Sequence, residues 1–173
     1  MESISKNGFR LISFLIRNFS RKLTIRGIAS ELKTSPTGIH AVLKKLEKDN
    51  IVKAEKLGTG LFYQINLENS VAKHLAAIAL IDFYNQKIET NKIKKESKSA
   101  IFDGKNLLVI TSDKEAVRDI CMRELNNINL TCIYEEEFVG ALKSKEEIRE
   151  IIRKGDVLFG EDIVINAIEE AIK

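Results

Sequence analysis

Scarcity marks this 173-residue chain: one proline, two cysteines, two histidines, nine glycines and no tryptophan. So little proline and glycine excludes long low-complexity linkers and points to a helix-rich body. Cys121 and Cys132 sit in the apolar settings Asp-Ile-Cys-Met and Leu-Thr-Cys-Ile, with no Cys-x-x-Cys pair and no histidine at ligand spacing. Buried thiols in a reducing compartment are expected, not a disulfide framework or a zinc site. His40 and His74 are far apart and neither accompanies a Ser or Cys in a recognisable nucleophile turn, which sets aside His-based catalysis. Long apolar runs are also missing. Arg10, Arg17 and Asn18 interrupt Phe9 to Phe19, so neither a signal peptide nor a membrane span is expected, and the cytoplasm is the expected location.

What is present is charge of unequal distribution. Residues 1–100 hold 18 Lys and Arg against 9 Asp and Glu, a net +9, whereas residues 101–173 hold 10 against 16, a net −6. A basic module joined to an acidic one favours a polyanionic partner for the first half alone.

Periodicity then orders the chain. Apolar positions between Phe9 and Phe19 describe a first helix. Thr24 is placed to cap a short second helix through Lys33, with Ile28, Ala29 and Leu32 inward. Small Ala29 permits a close helix crossing. Ser35 and Pro36 fit the N-cap and first position of a third helix, which ends where Asn50 suits the left-handed C′ position. Within it two stripes run back to back. Ile39, Val42, Leu43 and Leu46 form a core face, and Thr37, His40, Ala41 and Lys44, offset by two residues, lie about 200° away. That second face is small, polar and basic, as insertion into a DNA major groove requires. Ile51 to Lys56 and Leu61 to Leu67, joined by Gly58-Thr59-Gly60, read as a β-hairpin with Leu61, Tyr63, Ile65 and Leu67 on one face.

A nearly all-apolar helix follows from Asn69 or Ser70 to Tyr84 and must be covered by the first helix, by the other domain or by a second copy of itself; the last is favoured, with Leu75, Ile78, Ile81 and Tyr84 as the candidate dimer interface. Lysine-rich Asn85 to Ser99 reads as a frayed end or linker. In the second half, Asn106 to Thr111, Leu130 to Tyr134 and Asp156 to Phe159 read as strands. Helices are expected from Ser112 or Asp113 to Asn126, from Glu135 to Leu142, from Ser144 to Lys154 behind the capping box Ser144-x-x-Glu147, and from Glu161 to Ile172. The expected class is α+β: an N-terminal DNA-binding domain (1–68), a long connecting and dimerisation helix with linker (69–98), and a small, partly parallel α/β domain (99–173).

The segment Leu23 to Leu67, through Leu-Thr-Ile-Arg-Gly-Ile-Ala-Ser-Glu-Leu, Ser-Pro-Thr-Gly-Ile-His-Ala-Val-Leu-Lys-Lys-Leu-Glu-Lys-Asp-Asn-Ile-Val and the hairpin, resembles the winged helix-turn-helix family of bacterial and archaeal transcription regulators. The resemblance implies a recognition helix in the major groove, a wing on adjacent backbone and a homodimer on a near-palindromic site of double-stranded DNA. Ser35, Thr37, Gly38, His40, Ala41 and Lys44 would face the groove, with Lys45 and Lys48 at its edge. Lys53, Lys56 and Thr59 of the wing, and Arg21, Lys22 and Arg26, would meet phosphates.

The strand Asn-Leu-Leu-Val-Ile-Thr and the tail Ile-Arg-Lys-Gly-Asp-Val-Leu-Phe-Gly-Glu-Asp resemble the later part of a minimal nucleotidyltransferase domain, the partner of such a DNA-binding module in some archaeal proteins. An active member of that family carries a Gly-Ser turn for nucleotide phosphates and Asp-x-Asp before the strand for two metals. Here Asn106 takes the place of the second aspartate and Asp103 is the only acid nearby. One neutral amide and one carboxylate do not offset two divalent ions. The expectation is therefore a shortened, catalytically empty domain, with no metal or cofactor, serving dimerisation, ligand sensing or protein contact. Two rivals stand beside it: an active nucleotidyltransferase with an unfamiliar site, and a winged-helix interaction module that does not bind DNA.

Overall fold

The computed structural model describes residues 4–81, 90–125 and 127–173. They form an α+β protein of two compact units, Met1–Ala79 and Leu80–Lys173. The division falls after Ala79, inside the segment 69–98 expected to connect the domains, of which 82–89 lie outside the described residues.

The first unit contains helices α1 (Lys6–Arg17), α2 (Ile25–Glu31) and α3 (Pro36–Lys48), then strands β1 (Val52–Leu57) and β2 (Gly60–Ile65), and all but the last residue of helix α4 (Ser70–Leu80). Hydroxyls start the first three helices. Ser5, Thr24 and Ser35 each accept a hydrogen bond from the backbone N–H three residues on, at 3.1, 3.3 and 3.1 Å, satisfying donors that a helix leaves unpaired. Leu11, Ile12, Leu15 and Ile16 of α1, Ile28 and Ala29 of α2, and Ile39, Leu43 and Leu46 of α3 fill the core.

Both α2 and α3 end in Schellman motifs. At Lys33 (φ 52°) the bonds are Thr34 N–H to Ala29 O (2.9 Å) and Lys33 N–H to Ser30 O (3.2 Å); at Asn50 (φ 58°) they are Ile51 N–H to Leu46 O (2.8 Å) and Asn50 N–H to Glu47 O (2.9 Å). Asparagine tolerates that left-handed backbone; lysine does so less readily. Replacing Lys33 by glycine should stabilise the protein by about 0.5 to 1 kcal/mol, the relieved strain being partly offset by glycine's greater freedom when unfolded. Urea unfolding checks this through a higher midpoint at an unchanged slope.

In the hairpin, Leu57 pairs with Gly60, leaving Gly58-Thr59 as a two-residue loop. Gly58 takes φ +59° and Thr59 takes no positive φ, the pattern of a type II′ turn. Gly60, expected in the turn, is the first residue of β2. Val52, Tyr63 and Ile65 are buried, but Leu61 is 43% exposed because the hairpin tip runs beyond the core. Thr24 forms an antiparallel bridge with Phe62, and the Tyr63 N–H reaches Leu23 O at 3.3 Å, joining the hairpin to the start of α2.

Asn69 caps α4, its side chain accepting from Val71 and Ala72 N–H at 2.9 and 3.1 Å. Ala72, Ala76 and Ala79 are buried, while Val71 and Ile78 are exposed and Leu75 half-buried. The helix stops at Leu80, earlier than its apolar pattern suggested. Ile81 instead makes a parallel bridge with Val157, where its backbone groups meet a strand edge. Ile81 therefore does not belong to an exposed helical stripe, and Tyr84 lies outside the described residues. Among the described residues, no helix is long and apolar enough to cross a membrane.

The second unit runs α5 (Ile93–Glu96), β3 (Ser99–Phe102), β4 (Asn106–Ile110), α6 (Lys114–Glu124), β5 (Asn129–Ile133), α7 (Glu135–Ser144), α8 (Glu146–Lys154), β6 (Asp156–Phe159) and α9 (Glu161–Ala171). Its sheet has the order β5-β4-β3-β6, with β4 and β5 parallel and β3 antiparallel to both neighbours. Ile93, Leu107, Val109, Val117 and Cys121 share one apolar cluster. Helix α8 packs on β3 and β4 and α9 on β3, with α7 on α9.

Three expectations need correction here. The lysine-rich stretch is not wholly a linker, since Ile93 within it is 1% exposed. The strand β3, central to the sheet, was not anticipated. Ser144 opens no helix: it is the last residue of α7, and its hydroxyl donates to Gly140 O at 2.8 Å, so the capping box with Glu147 does not form. Arg149 closes α7 from beyond its end, donating to Leu142 and Lys143 carbonyls, each at 2.9 Å. Between β6 and α9, Gly160 takes φ 71°, and a Cβ there would lie 2.0 Å from Lys98 O.

Candidate nucleic-acid interface

Because α3 buries Ile39, Leu43 and Leu46, its other side presents Thr37, Gly38, His40, Ala41, Lys44, Lys45 and Lys48, all exposed. Lys44, Lys45 and Lys48 make no ion pair among the described residues, so three cations stand along this face unneutralised. Ser35 is exposed at its start, but its oxygen is engaged in the helix cap, leaving the O–H proton as its free donor. Ala41 and Lys45 also border a groove of about 170 Å³, floored by Gly8, Val42 and Leu46.

The other named cations are distributed differently. Arg26 of α2 is exposed and without an ion pair among the described residues. Lys56 and Thr59 are exposed toward the hairpin tip, whereas Lys53 is half-buried with its ammonium 3.9 Å from the Glu68 carboxylate. Lys53 and Lys56 lie on opposite faces of the hairpin, as strand alternation dictates. Arg21 and Lys22 are not available as expected: Arg21 forks onto Glu31 and donates to Asn18 Oδ1 at 2.9 Å, and Lys22 pairs with Glu55. Folding brings those carboxylates in from α2 and β1, which chain spacing could not reveal. Lys33 and Thr34, not among the expected contacts, are also exposed, in the turn leading into α3.

In the second unit, Asp103 is a turn residue. One carboxylate oxygen accepts from Lys105 and Asn106 N–H at 3.0 and 2.7 Å, and the other from the Asn106 amide at 2.8 Å. Burial pushes this carboxyl up, but the bonds from Asn106 and Lys105, aided by the Lys154 charge, outweigh it and hold the pKa below its ordinary value. Asn106 in turn accepts from Asn129 at 3.0 Å. Among the described residues, no group of three or more His, Cys, Asp or Glu is arranged to hold a metal ion. Glu135, Glu136 and Glu137 occupy the first turn of α7, at its positive end, with Glu135 on Lys98 and Glu137 on Lys114. His74 is exposed, its Nδ1 2.6 Å from Ser70 O.

No protein-family model matches the chain, and no curated protein matches it significantly.

Proposed function

We propose that the first unit is a winged helix that binds double-stranded DNA, and that the protein is a homodimeric transcription regulator. In this reading α3 enters the major groove, the β1–β2 hairpin is the wing, and the second unit is a shortened relative of a minimal nucleotidyltransferase domain without catalysis. The observation that carries it is the outward face of α3: small side chains, His40 and three unneutralised lysines on the side opposite the core. The order of three helices and a hairpin, with the Thr24–Phe62 bridge, supports it. The second half of the reading is supported by Asn106, whose amide is satisfied by Asp103 and Asn129 where a metal-binding acid would be needed.

Retention on random duplex DNA as a function of salt tests this reading. Binding should weaken with a log–log slope of about −0.9 per phosphate met, and the double change Lys44→Ala, Lys48→Ala should flatten the slope by about 2. Folded protein that ignores duplex DNA at low salt would remove the regulator reading and favour the interaction module.

A further inference from the structure

The sheet of the second unit ends, among the described residues, in a strand with no charge or proline of its own. Strand β5, Asn-Leu-Thr-Cys-Ile, has no charge, no proline and no bulge, and among the described residues it pairs in unbroken register with β4 alone. Asn129 N–H bonds to Lys105 O and Thr111 N–H to Ile133 O, so Asn129, Thr131 and Ile133 turn their backbone groups toward β4. By alternation, Leu130 and Cys132 aim theirs at the open edge. Beside that edge lies an apolar groove of about 260 Å³ lined by Cys121, Met122, Leu125, Ile128 and Leu130 with Arg118, and Met122 is 78% exposed.

We infer that β5 pairs antiparallel with β5 of a second copy of this chain. Charge selects both partner and direction. Exposed Lys105, in the turn before β4, is bonded through its carbonyl by Asn129 N–H and so flanks the start of β5 on the β4 side; exposed Glu136, which acts on the Lys98 charge, lies just past its end, and neither makes an ion pair among the described residues. Antiparallel self-pairing brings each cation toward the partner's anion; parallel pairing would place like beside like. Full overlap of the two strands centres the twofold axis on Thr131, with Leu130 and Cys132 exchanging backbone hydrogen bonds with the partner's Cys132 and Leu130. That axis is perpendicular to the sheet, so the two α6 helices fall on the same face and enclose the Met122 groove between them.

The inference names the contact that makes the dimer and does not depend on DNA binding, because oligomeric state is read without DNA. Sedimentation at micromolar concentration should give twice the 19.6 kDa chain mass. Met122→Glu and Lys105→Glu should shift it to monomer, and adding Glu136→Lys to Lys105→Glu should restore the dimer. Ile78→Glu, on α4, should leave it intact. Thr131 faces its own copy in a non-hydrogen-bonded pair about 4.5 Å apart between Cα atoms, within disulfide range. Thr131→Cys in a Cys132→Ala background should therefore oxidise to a 131–131 linked dimer, while Lys143→Cys should not. A monomeric wild type would overturn the inference. So would a dimer that Ile78→Glu disperses and Thr131→Cys fails to link.

Discussion

Replacing Gly160 by alanine should destabilise the second unit by about 3 kcal/mol or more, the largest effect expected of any single methyl in this chain. Two penalties coincide there. The residue has a left-handed backbone, and the added carbon would be driven to 2.0 Å from Lys98 O and 2.8 Å from Ser99 Cβ. Neither neighbour yields easily: Lys98 N–H is bonded to Ile110 O, and the Ser99 hydroxyl donates to Phe159 O at 3.0 Å, which locks β3 to β6. Urea unfolding followed by fluorescence labels in each unit would show the loss in the second unit's transition. A loss under about 1 kcal/mol would mean that the β6–α9 junction relaxes, contrary to the close approach seen here.

The second large effect separates the two sides of α3. Leu46→Ala should cost about 2 to 5 kcal/mol, as a buried leucine truncated to a cavity does. Leu46 is 5% exposed and also forms the carbonyl end of the Schellman bond from buried Ile51. Lys44→Ala, two residues earlier, should change stability by no more than about 0.5 kcal/mol and should weaken DNA retention. Thermal melts and salt-dependent DNA retention on both variants check the pair. Equal behaviour would show that the assignment of faces is mistaken.

Much of the first unit was legible because its signals are local. Ser35-Pro36 and Asn50 mark the ends of α3 through bonds reaching only a few residues, and the two stripes of α3 are a property of one helix. What escaped reading depends on distant partners. Strand β3 is four residues, Ser-Ala-Ile-Phe, too short for an alternation signal, and gains its place from β4 and β6 on either side. Ile81 looks helical by composition and is claimed by Val157. The cations show the same division: Lys44 was placed by periodicity, whereas Arg21 and Lys22 were counted as phosphate contacts because Glu31 and Glu55 arrive only with the fold. Ser144 and Glu147 had the spacing of a capping box, but Arg149 satisfies the same region from the far side.

Asn66 gives the hairpin a mechanical character. Its amide donates to the backbone and side chain of Asn50 at 3.2 and 3.0 Å, and its own N–H reaches Ile51 O at 2.9 Å, while Leu23 and Thr24 grip β2 nearer its middle. Helix α3 and the hairpin are thus clasped into one preformed block with a free tip only at Gly58-Thr59. A surface built beforehand surrenders little internal entropy on docking. Its encounters with a charged partner should be governed by diffusion and ionic strength rather than by a slow rearrangement.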